Sequence, residues 1–141
     1  MKKKFVLFAL VIVVLAACKD EKVKEKELLD EVIRMHDEVM GKEDHLMRNK
    51  MKIDTILTAG PLSDKYSLEE KMTISVVRHK LIKADEAMSK WMQNFDPELK
   101  GKTHEEKIKY YTEQKKAVTK IDSIFTTVIQ GSDKYLKELN K

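Results

Sequence analysis

The chain has 141 residues, of which 37% are charged and 42% hydrophobic, with four glycines and two prolines. That balance fits one small globular domain and excludes disordered or collagen-like chains. A single cysteine excludes a disulfide framework. The formal charge of +4 overstates how basic the folded part is, as the first residues show.

Lys2-Lys3-Lys4 precedes thirteen apolar residues, Phe5 to Ala17, which end in Leu15-Ala16-Ala17-Cys18. The run is well short of the roughly 20 residues a membrane-spanning helix needs, and it reads as a secretory signal. Its end resembles the lipobox of bacterial lipoproteins. That resemblance implies cleavage after residue 17, a thioether-linked diacylglycerol on Cys18 and acylation, typically palmitate, of the new amino terminus. Residues 1–17 are then signal peptide, 18–22 a lipidated tether and 23–141 the folded domain. Without the three signal lysines, 25 of the 28 basic residues remain against 24 acidic ones. Signs are interspersed, as in Lys22-Val23-Lys24-Glu25-Lys26-Glu27, which is a solvated helix face rather than a nucleic-acid footprint. Lys19 follows the cysteine, so the aspartate of inner-membrane retention is missing. Lys19-Asp20-Glu21 resembles the surface-export signal of Bacteroidota lipoproteins. The expected location is the cell envelope, on the outer membrane, with display on its outer face as a further option.

Three helices are expected after the tether, at about 23–58, 67–95 and 104–139. Thr58-Ala59-Gly60-Pro61 ends the first, and Asp96-Pro97 with Gly101 ends the second. Ser67-Leu68-Glu69-Glu70 and Thr103-His104-Glu105-Glu106 are capping boxes that open the second and third. Each helix carries a stripe spaced by threes and fours. The first reads Leu29, Val32, His36, Val39, Glu43, Leu46, Lys50, Ile53 and Leu57. The second reads Ile74, Val77, Leu81, Ala84, Met88, Trp91 and Phe95. The third reads Tyr111, Gln114, Val118, Ile121, Phe125, Val128, Ser132, Tyr135 and Leu139. Such stripes pack at small crossing angles and short connections make neighbours antiparallel, so the expected fold is an all-α, up-down-up three-helix bundle.

Met35-His36-Asp37-Glu38-Val39-Met40, Ala84-Asp85-Glu86-Ala87-Met88, Trp91-Met92-Gln93-Asn94-Phe95 and Tyr111-Thr112-Glu113-Gln114-Lys115-Lys116 resemble one family. It comprises small Bacteroidota envelope lipoproteins that often carry the automatic label "viral A-type inclusion protein". The resemblance implies a helical envelope lipoprotein and brings no activity or binding residue with it. Gly41 departs from the family, whose members tend to have proline there.

The polar members of the first stripe, His36, Glu43 and Lys50, are the candidates for chemistry or register. An antiparallel turn centred near residue 61 sets Glu43 opposite Arg78 and His36 opposite Asp85, as structural ion pairs. Lys50 can instead reach water along its stem. A second reading is a soft-metal site for copper, from His36, Met40, Met88 and Met92, because imidazole and thioether ligands suit Cu(I). Methionine spaced by a turn is equally the filler of a helical core. Enzyme signatures are missing. There is no HExxH, no glutamate three residues before any histidine, no phosphate loop and no G-x-S-x-G. The expected function is a non-enzymatic, membrane-anchored structural or interaction module, without cofactor and without nucleic acid. It would meet an unidentified envelope protein. Copper binding and a holdase chaperone are the alternatives.

Overall fold

A computed structural model describes the backbone of residues 2–60 and 64–139, and the side chains of residues 21–60 and 64–139. Cys18, the expected lipidation site, and residues 19–20 of the expected tether therefore lie outside the residues whose side chains are described. Three helices follow in order: α1 (Lys2–Thr58), α2 (Leu68–Asn94) and α3 (His104–Leu139). They form an all-α, up-down-up bundle, and the described residues contain no strand.

The first boundary differs from expectation. The helix does not begin near residue 23 but runs from Lys2, so Cys18 falls within its span. Nothing between Lys2 and Thr58 can stop it, because the segment has no proline and its one glycine, Gly41, has open space around it. The other boundaries follow the caps. Ser67 sits in extended backbone, and its hydroxyl accepts the Glu70 amide while Glu70 accepts the Ser67 amide. Thr103 and Glu106 exchange the same two bonds at 3.2 and 2.9 Å. Both carboxylates are held below their ordinary range, chiefly by these backbone amides. Between α2 and α3, Asp96 accepts the amides of Glu98 and Leu99 and Gly101 adopts φ 78°, which reverses the chain within nine residues.

Each stripe turns inward. On α1, Val32, Val39, Leu46 and Ile53 recur every seven residues and are fully buried. Ile74, Leu81, Ala84 and Met88 from α2, and Tyr111, Val118, Ile121 and Phe125 from α3, complete the centre. Val77, Trp91 and Phe95 are partly buried at its margin. Two departures have different causes. On α3 the buried residues are Ile129 and Leu136 rather than Val128 and Tyr135, because a straight helix drifts about 20° per heptad against a repeat of seven and its stripe slides to the next residue. On α1, where the heptad from Val32 to Ile53 keeps its register, Asn49 rather than Lys50 is buried because it faces Ser132 of α3.

The helix register also differs from expectation. α3 runs parallel to α1, and every polar link between them joins residues 79 to 88 apart in sequence. α2 runs antiparallel, but Arg78 meets Asp54, about three turns nearer the loop than Glu43. His36 meets Met92, two turns beyond Asp85. The expected pairs Glu43–Arg78 and His36–Asp85 do not form. Both contacts centre the antiparallel pairing of α1 and α2 near residue 65 rather than near residue 61, which slides α2 along α1.

Candidate functional site

The feature best suited to binding is an open groove of about 300 Å³ between α1 and the carboxyl end of α2. Its walls are Ile33, His36 and Asp37 from α1, and Trp91, Met92, Phe95 and Pro97 from the second helix and the turn after it. Helical spacing makes this arrangement. Residues 33, 36 and 37 share one face of α1, and residues 91, 92 and 95 share one face of α2.

The aromatic wall is locked from behind. Trp91 donates its indole N–H to Gln114 on α3 at 2.9 Å. Its ring stacks on Phe95 with centroids 4.7 Å apart, and Phe95 stacks in turn on Tyr110. The Tyr110 hydroxyl accepts the Asp96 amide, and the Tyr111 hydroxyl donates to the Pro97 carbonyl. Gln114, the polar member of the third stripe, is thus the partner that a partly buried indole requires. The ring contacts of Trp91 are Phe95 and His36.

At the mouth, His36 bridges two acceptors. Nδ1 lies 2.9 Å from Asp37 Oδ1 and Nε2 lies 3.2 Å from Met92 Sδ. The imidazole is three-quarters covered, and its centroid is 5.7 Å from the Trp91 ring. Of the four soft-ligand candidates, His36 and Met92 come together. Met88 is buried in the core, and Met40 packs half-buried against it. Among the described residues no three His, Cys, Asp or Glu side chains gather as a metal cluster.

Three polar groups tie the bundle elsewhere. Asn49 donates to Ser132 at 2.8 Å and to Asp133 at 2.6 Å, and His45 closes on the same Asp133 oxygen at 2.9 Å. Burial pushes Asp133 upward, but Asn49 and His45 outweigh it and hold the carboxyl low. Asp54 takes Arg78 on one oxygen and Lys50 on the other, and these partners likewise outweigh its burial. Lys50 is therefore paired rather than simply extended to water. Glu25 binds His104 and Lys107 where α3 begins, with the same result. Among the described residues, no buried side-chain polar atom is left without a partner.

Sequence reasoning missed Asn49, Lys42–Asp122 and the Glu25 cluster. Only the contact with Ser132 on α3 marks Asn49, and nothing local marks the other two. On the outer face, Leu68, Met72 and Val76 of α2 stand one turn apart and 77%, 64% and 54% exposed. No helix among the described residues is long and apolar enough to cross a membrane. Comparison of the chain with protein-family models, curated proteins and solved structures finds no match.

Proposed function

We propose that this protein is a lipid-anchored, non-enzymatic lipoprotein of a bacterial outer membrane, related to the small Bacteroidota envelope lipoproteins it resembles. It acts by protein–protein contact. Acyl chains on Cys18 hold one end of the bundle at the membrane, and three chains bind far more firmly than one. The mechanism is positional: the anchor sets where the bundle stands, and a fixed helix face meets an envelope protein.

The observation that carries this reading is the stripe Leu68–Met72–Val76. The other exposed large apolar side chains, Val23, Ile33, Met51 and Met92, do not form such a run, and contiguous exposed apolar surface marks contacts. The stripe also lies at the amino end of α2, beside the carboxyl end of α1. About 40 residues of helix, or about 60 Å, separate it from Cys18. Among the described residues every buried side-chain polar atom has a partner within the bundle, which supports contact over a holdase role.

The test places a photo-crosslinking residue at position 72 in cells, with position 119 on the exposed face of α3 as control. The expected result is one discrete adduct from position 72, lost in Val76→Glu and in the unlipidated Cys18→Ser. Equal adducts from both positions, or none from position 72, would overturn the reading. Palmitate incorporation that survives Cys18→Ser would remove the anchor from it.

A further inference from the structure

From the groove geometry we infer that His36 and Met92 form a Cu(I) site capped by the face of Trp91, a function independent of what α2 meets. The argument starts from proton count. A neutral imidazole carries one N–H, yet both ring nitrogens of His36 face acceptors. With Nδ1–H donating to Asp37, the Nε2 lone pair points at a thioether sulfur that has no proton to offer. Two soft lone pairs then face each other across 3.2 Å. Metal bonds of about 2.0 Å to nitrogen and about 2.3 Å to sulfur meet across such a gap close to a right angle.

The surroundings select the ion. Histidine ligands characteristically donate their second N–H to a carboxylate, which fixes the tautomer and raises the basicity of the ligating nitrogen, and Asp37 is placed to do this. An imidazole with a thioether is a soft set that disfavours magnesium and calcium, and thioether is not among the ligands zinc characteristically takes. The single carboxylate balances a monovalent cation. Trp91, its ring held by Gln114 and Phe95, turns an electron-rich face toward the imidazole, where a cation gains further stabilisation. Met92 is 40% exposed, so an ion can reach the sulfur from water.

The experiment titrates Cu(I) into the metal-stripped full chain in detergent, without oxygen and against a chromogenic Cu(I) chelator. Trp91 is the only tryptophan, so its emission reports this groove directly. One equivalent should quench most of the emission saturably. His36→Gln and Met92→Leu should each weaken binding at least tenfold while keeping the wild-type circular dichroism. Met51→Leu, which removes an exposed methionine outside the groove, should leave the affinity unchanged. An absence of saturable quenching would overturn the inference. So would equal affinity in Met92→Leu, or an equal loss in Met51→Leu.

Discussion

The two seams of α1 are built differently. Toward α3, apolar layers alternate with polar ties along the whole length: Glu25 to His104 and Lys107, Glu31 to Lys115, Lys42 to Asp122 and Thr126, Asn49 to Ser132 and Asp133. A slip of one residue would break all of them together, so the register is set many times over. Toward α2 the described residues give two polar links, Asp54–Arg78 near one end and His36–Met92 near the other. That seam closes with small residues such as Ala84, and then opens into the aromatic groove. The contrast teaches where each task lies. The α1–α3 seam holds the bundle together, and the α1–α2 side, less tied, has room for a ligand and an exposed face.

If that division is right, the largest losses come from the α1–α3 side. Phe125 is 1% exposed at the centre, and Phe125→Ala should cost about 3–5 kcal/mol in urea denaturation. Trp91→Ala should cost less, because part of its ring borders the open groove rather than the core. The reverse order would break the comparison.

The polar layer gives the next effect. Asn49→Ala removes the amide donor of Ser132 and leaves Asp133 with His45 alone, and should cost about 1–3 kcal/mol. Combined with Ser132→Ala, the loss should fall short of additive, with coupling of about 0.5–3 kcal/mol by a double-mutant cycle. Strict additivity would show that the bond does not fix the register.

The smallest effect separates the seams by pH. Glu25 ties α1 to α3 and Asp54 ties α1 to α2, and each carboxyl is held below its ordinary value, 4.5 and 3.8 respectively. In both, burial acts upward and is outweighed by the cationic partners. A lowered folded value stabilises above the ordinary value and is lost as pH falls through the folded one. The melting temperature should therefore be level above about pH 5 and fall below about pH 4, in the range where such carboxylates take up protons. Glu25→Gln and Asp54→Asn should each flatten that fall by part. A single variant that removes it entirely would mean that one seam alone carries the acid sensitivity.

Much of this architecture is written locally. A capping box needs only residues three apart, and a buried stripe needs only a period of three and four. So Ser67–Glu70, Thr103–Glu106 and the heptad from Val32 to Ile53 were legible before any helix was placed. What pairs with what depends on how far each helix slides along its neighbours and which face it turns to them, and neither is a property of a short window. For that reason Arg78 went to Asp54 rather than Glu43, and Asn49 entered the core in place of Lys50. His36 likewise found a thioether and an indole where a carboxylate was expected. The lipid anchor proposed at Cys18 is the opposite case. It is read from the residues immediately before the cysteine and needs no tertiary structure. The groove beside His36 exists only because two distant helices meet at one register, and packing alone selects it.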